Sequence, residues 1–177
     1  WTALGWATEP VGGMMIVGGK FLDTTNGSST QRQPYLAAFD AGDGRFLTWW
    51  RPNVGGAVTA LESTPDGGLV VGGEMGTWEG VEVGALQKID PATGAVWPGW
   101  STRVYGGSSI VRDVRLESDG WLYVVGTFTT ASDNGVPFAV QGAIRMDPMS
   151  GAIDRSWLPQ VGGGSVWGVS RSRTTDE

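Results

Sequence analysis

An all-β fold is predicted by two recurring patterns and one compositional bias. The stretch from Ala57 to Met75 (AVTALESTPDGGLVVGGEM) holds two short apolar segments, Val58 to Leu61 and Leu69 to Val71, joined by the turn signal Pro65-Asp66-Gly67-Gly68. That pattern specifies a β-hairpin. It returns on both sides, around Met14 to Phe21 and Ile110 to Phe128, at a spacing of about 54 residues. A second pattern follows each copy: an apolar residue, an Asp, a Gly and a Trp at fixed separations. With 30 glycines and 40% apolar residues in 177, the chain suits many short strands, tight turns and one domain with a core.

The first unit opens at Ala3-Leu4-Gly5-Trp6-Ala7, turns at Pro10 to Gly13 and continues as MMIVGGKF from Met14. Gly18, Gly19 and Phe21 correspond to Gly72, Gly73 and Met75 of the second unit. In the third, Val111, Val114, Asp119, Gly126 and Phe128 correspond to Val58, Leu61, Asp66, Gly73 and Met75. The second hairpins are Tyr35 to Trp50, Gly84 to Trp100 and Gly142 to Trp157. In them Asp40, Asp90 and Asp147 are expected to cap a tight turn, and Gly44, Gly94 and Gly151 to supply its positive φ. Trp50, Trp100 and Trp157 stand at one repeat position, which points to packing between units rather than to a ligand contact. Each unit closes on a Gly-Gly: Gly55-Gly56, Gly106-Gly107 and Gly162-Gly163.

Four strands per unit, each unit unable to bury both of its faces alone, predict a β-propeller segment: three four-stranded antiparallel blades plus the first strand of a fourth. The continuous apolar runs Leu69-Val70-Val71 and Leu122-Tyr123-Val124-Val125 support this, because a strand covered on both faces does not alternate. The expected boundaries are residues 1–56, 57–107 and 108–163 for the blades. Residues 164–177 would hold a further first strand (SVWGV, Ser165 to Val169) and a polar tail. Length differences fall between the second and third strands, at Leu22 to Pro34, Gly76 to Val83 and Thr129 to Val140, so those connections are expected to be loops.

The run of V-x-x-V or V-x-x-L, P-D-G, a short apolar segment, V-G-G-x-F and an apolar-D-x-x-x-G turn resembles the delta-60 repeat propellers of exported bacterial proteins. The resemblance spans Ala3 to Val169; Ser118 and Val125 depart from it in the third copy. It implies a scaffold module in a secreted, cell-envelope or virion setting, with further blades from a longer chain or from other copies as partners. A weaker resemblance, through Ile89-Asp90-Pro91-Ala92-Thr93-Gly94, is to quinoprotein propellers. There the spacing from Gly to Trp differs, and the motif also serves blade packing.

Chemistry is bounded by what is missing. With no His and no Cys, the chain cannot build a Ser-His-Asp triad, an imidazole or thiolate metal site, or a Cys nucleophile from its own residues. No catalytic constellation, cofactor or metal is expected. A net charge of -6 with scattered arginines argues against a nucleic-acid surface. No apolar run approaches the roughly 18 residues of a membrane span. Function is therefore expected where the copies disagree, on a face gathering the connections between second and third strands and between units. Candidates there are Arg32, Trp78, Glu79, Arg103, Tyr105, Asp133 and Asn134, with Asp23, Asn26 and Glu82 beside them. Trp78 has no counterpart in the other units and is read either as an exposed aromatic for a protein or glycan partner or as a loop residue folding back on its own blade. Asn26-Gly27-Ser28 also fits a glycosylation sequon. Glu62, Arg112, Asp113 and Arg115 are unmatched charges on first strands, where an enzyme site of a propeller would lie.

Overall fold

The structure is a computed structural model that describes residues 4–26, 29–161 and 165–170. Trp1 to Ala3, the last two residues of the sequon and Gly162-Gly163 fall outside them. Among the described residues there is no helix. In chain order the strands are β1 (Leu4–Val11), β2 (Met14–Lys20), β3 (Asp23–Asn26), β4 (Ser29–Arg32), β5 (Leu36–Asp40), β6 (Val58–Ser63), β7 (Leu69–Trp78), β8 (Val81–Ile89), β9 (Arg103–Tyr105), β10 (Val111–Leu116), β11 (Leu122–Gly126), β12 (Thr130–Asp133), β13 (Val136–Ala139) and β14 (Ala143–Met146). They form several small antiparallel sheets. Three of these are equivalent meanders, β1-β2-β5, β6-β7-β8 and β10-β11-β14.

The same irregularity recurs in each meander. A bulge interrupts the first strand between Gly5 and Ala7, between Val58 and Ala60, and between Val111 and Asp113. The bulge presses first-strand backbone against the second strand, which explains one glycine of each pair. A Cβ on Gly73 would overlap the Ala57 carbonyl, and one on Gly126 the Ile110 carbonyl. The other glycine serves the neighbouring repeat: a Cβ on Gly18 would overlap Val58, and on Gly72 it would lie 2.5 Å from Val111. In the third meander this place belongs to Val125, which is buried.

Burial shows why the second strands read as unbroken apolar runs. Val71 packs into a cluster with Ile16, Leu36 and Leu61 of the first and second repeats. Val70 points the other way, into a cluster with Val114, Leu122 and Ile144 of the third. Both faces of the middle sheet therefore contribute to cores shared between repeats, while a smaller cluster of Phe21, Ala37 and Phe46 belongs to the first repeat alone.

Three expectations are corrected. The fourth strands are single bridges, Phe39 to Phe46, Ile89 to Val96 and Met146 to Ile153, so the sheets are three-stranded. The chain turns away at once, with the Trp50, Trp100 and Trp157 N–H groups donating to Leu47, Trp97 and Asp154 carbonyls. That early turn carries Trp50 and Trp100 onto the turn of the next repeat. The connections expected as loops are instead hairpins: β3 pairs β4, β7 and β8 run on to Trp78 and Val81, and β12 pairs β13. Their backbone groups are satisfied by one another rather than by water. Segment 165–170 forms no strand; Val166 N–H donates to the Gly126 carbonyl at 3.1 Å and Val169 N–H to the Asp113 carboxylate at 3.2 Å.

Candidate functional site

The repeated residues are occupied by turns and joints. Asp40 accepts the Gly42 and Asp43 N–H groups at 2.9 and 3.2 Å. Asp90 accepts the Ala92 N–H and the Thr93 hydroxyl, each at 2.9 Å. Asp147 accepts the Met149 and Ser150 N–H groups at 3.0 and 2.7 Å. The turn glycines Gly44, Gly94 and Gly151 have φ of 72°, 76° and 76°, which disfavours any side chain.

Gly94 and Gly151 are also where one repeat grips the next. Trp50, 1% exposed, donates its indole N–H to the Pro91 carbonyl at 2.8 Å, and a Cβ on Gly94 would lie 3.3 Å from Pro52. At the following joint, Trp100 and Thr102 close on Gly151, with the Thr102 hydroxyl donating to its carbonyl at 2.5 Å. Here Lys88 Nζ, not the indole, takes the turn carbonyl of Pro148 at 2.9 Å. The buried Trp100 Nε1 is consequently without a partner. In the first repeat Ala38 occupies the place of Lys88, two residues before the turn Asp, and cannot compete with the indole. Trp157 is half-buried and packs edge-on against Tyr123 of its own repeat at 5.2 Å between ring centroids.

The variable connections divide between structure and surface. Two candidates are corrected: Trp78 is fully buried and donates Nε1–H to the Gly94 carbonyl at 3.1 Å, because β7 runs on far enough to carry it under the neighbouring turn. Asp133 is buried too, accepting the Ile153 N–H at 2.9 Å and an Arg155 guanidinium N–H at 2.6 Å; it ties the β12–β13 hairpin to its own repeat. Glu79, at φ 50°, is exposed and accepts the Asn53 N–H at 2.7 Å. Asn134, at φ 50°, forms the exposed tip of the β12–β13 hairpin beside Ser101. Arg32 and Arg103 are exposed and Tyr105 is half-buried.

Between the β7–β8 hairpin and the β9, β12 and β13 strands lies a cleft of about 640 Å³. It brings together Trp78, Glu79, Arg103 and Tyr105 of the predicted set, adjoined by Glu82, Gln87, Val96, Trp100 and Ser132. Arg32 is not part of it, and Asp133 and Asn134 line a separate recess of about 300 Å³ with Ser101. A shallower recess continues past Glu82 and Tyr105 toward Ser108 and Ser109. Sequence reasoning missed Gln87, Val96, Trp100 and Ser132. Ser132 enters through the pairing of β9 with β12, which folds the connector between repeats against the next hairpin; Gln87 comes from β8 and Val96 from its bridge to Ile89. The volume suits a small ligand or a peptide side chain.

The first-strand charges form another group. Burial raises the Glu62 carboxyl above its ordinary value, opposed by the Leu116 N–H it accepts; Glu9, Asp113 and Arg115 are close enough to act on it. They line none of these clefts. Among the described residues, no group of three or more His, Cys, Asp or Glu side chains is placed to hold a metal ion.

These carboxylates predict an acid profile. N–H groups of Gly42 and Asp43 lower Asp40, and the Ser150 N–H lowers Asp147. Burial pushes Asp66 and Asp133 up, but hydrogen bonds from Lys88 and Thr64, and from Ile153 and Arg155, leave both below 3.8. The Ser156 hydroxyl and Arg145 bring Asp154 to about 2. A depressed folded-state value means stability that is present above the unfolded value of 3.8 and lost as pH falls through the folded one. Glu62 has the opposite sign and gives a small gain on acidification through its raised value, above 4.5. The urea midpoint should therefore peak slightly at mildly acidic pH and fall steeply between about pH 4 and pH 2. A midpoint flat across that window would contradict these assignments.

No protein-family model matches the chain, and no curated protein matches it.

Proposed function

We propose that this chain is a non-catalytic scaffold, three blades of a β-propeller, that binds a protein or glycan through the cleft beside Arg103 and Tyr105. The observation that carries the reading is the division of labour among residues. The turn Asp and Gly residues that recur are consumed by turns and joints, while the charged lining of the cleft, Glu79, Glu82 and Arg103, and Tyr105 come from segments where the repeats differ; Trp100 and Val96, at repeated positions, form part of its wall. Exposed Glu82 and Arg103 stand with half-buried Trp100 and Tyr105 around it. Aromatic faces with charged neighbours suit sugar rings and peptide side chains alike. Through its resemblance to delta-60 repeats, the setting proposed is an exported or surface-exposed assembly of a cell or virion, with further blades as structural partners.

The test is a glycan array and a peptide library probed with labelled protein, followed by titration calorimetry on the best hit. Arg103→Ala and Glu82→Gln, both at exposed positions, are expected to weaken binding about tenfold or more, roughly 1.4 kcal/mol, with an unchanged thermal midpoint. A hit whose affinity ignores both variants would overturn the cleft as the site. A second reading, a segment of a propeller enzyme such as a quinoprotein dehydrogenase or a sugar-processing enzyme, draws support from the raised Glu62 carboxyl among Glu9, Asp113 and Arg115. Turnover abolished by Glu62→Gln and untouched by Arg103→Ala would favour it.

A further inference from the structure

We propose that the joint holding successive repeats together also joins two copies of this chain head to tail, the segment Trp157–Leu158–Pro159 of one copy receiving the Asp40–Gly44 turn of another. The inference rests on the joints alone and not on the cleft. Each joint has a donor half, the three residues beginning at the repeated Trp, and an acceptor half, the Asp-to-Gly turn of the next repeat. Trp50-Arg51-Pro52 grips the turn from Asp90 to Gly94, and Trp100-Ser101-Thr102 grips the turn from Asp147 to Gly151.

Among the described residues one half of each kind has no counterpart gripping it. In the gripped turns Pro91, Gly94, Pro148 and Gly151 are buried; in the first repeat the corresponding Ala41 and Gly44 are exposed. A Cβ on Gly44 would meet nothing within 4 Å, although its φ of 72° matches Gly94 and Gly151 at 76°. The acceptor geometry is thus built before anything occupies it. At the other end Trp157, Leu158 and Pro159 are only half-buried, and the Trp157 ring rests on its own repeat. A half-joint of each kind on one molecule is a heterologous pair, which links identical chains end to end. Segment 165–170 is held on the third repeat by the Val166 N–H on the Gly126 carbonyl, the Val169 N–H on the Asp113 carboxylate and the Trp167 ring beneath Arg112. An incoming copy, whose β1 is already paired with its own β2, has these contacts to replace where it meets the segment.

Sedimentation velocity on the purified 177-residue chain tests this directly. The wild type is expected to self-associate at micromolar concentrations. Ala41→Arg blocks the acceptor at a side chain that is exposed in the single copy, and Pro159→Glu blocks the donor; each should weaken association about tenfold or more. Circular dichroism and a thermal midpoint establish that both variants stay folded. An equimolar mixture of the two retains one intact donor and one intact acceptor, so it should restore a two-chain species and nothing larger. A wild-type chain that stays monomeric across that range would overturn the proposal. So would self-association indifferent to both variants, or failure of the mixture to recover the pair.

Discussion

Trp50→Ala is expected to lower unfolding stability by about 3 to 5 kcal/mol, the range for truncating a large aromatic in a packed core. The side chain is 1% exposed and packs among Leu36, Val58 and Trp78, drawn from two repeats. Its removal also leaves the buried Pro91 carbonyl without the donor it holds at 2.8 Å, at a cost of about 1 kcal/mol or more. Trp50→Phe separates the two effects, since it restores most of the packing and none of the hydrogen bond. The equivalent Trp157→Ala removes a half-buried ring that touches its own repeat, and should cost far less. Urea denaturation of the three variants gives the ordering. If Trp50→Ala and Trp157→Ala cost the same, the difference between a closed and an open joint would not be what separates these positions.

How far the sequence could be read follows from the same contrast. The hairpin around Pro65 to Gly68 and the all-β character were legible because turn chemistry and strand period are local. The glycine pairs were visible, but their causes were not. Gly73 is small because its own bulge crowds it, whereas Gly72 is small because Val111 of the next repeat comes to it. Trp78, without counterparts, left two readings open, exposed or folded back on its own blade; its place under the Gly94 turn of its own repeat depends on how far β7 extends, which no local signal carries. The fourth strands looked equal to the others in pattern and shrank to single bridges because the chain leaves to make a joint. The cleft was half legible. Arg103 and Tyr105 were found by their variability, while Ser132 arrives only through the pairing of β9 with β12 and Gln87 through the approach of β9 to β8.

Lys88, one of two lysines in the chain and given no role by sequence pattern, should have the second large effect. Its side chain is 0% exposed. Nζ donates to both Asp66 oxygens, at 2.9 and 2.7 Å, and to the Pro148 carbonyl at 2.9 Å, and it lies 4.7 Å from the centre of the Trp97 ring. The ammonium therefore links its own hairpin turn to the turn of the next repeat. Lys88→Met keeps the length and removes the charge. Breaking a buried pair costs about 3 to 5 kcal/mol, and the 18% exposure of the Asp66 side chain, which admits some water to the stranded carboxylate, puts the expectation near the lower end. Two readouts distinguish this from a generic core defect. First, the Pro148 carbonyl becomes free for the orphaned Trp100 Nε1, reproducing the bond from Trp50 to Pro91, so one indole N–H resonance should move downfield. Second, without the ammonium Asp66 keeps the burial that raises its value and loses both the hydrogen bond and the charge of Lys88 that lower it, so the carboxyl titrates at a higher value than in the wild type. The wild type loses stability as pH falls through its own lower value, so the gap between the two should be constant near neutral pH and narrow as pH falls through the carboxylate range. A gap independent of pH would mean that Lys88 acts through its alkyl chain and not through its charge.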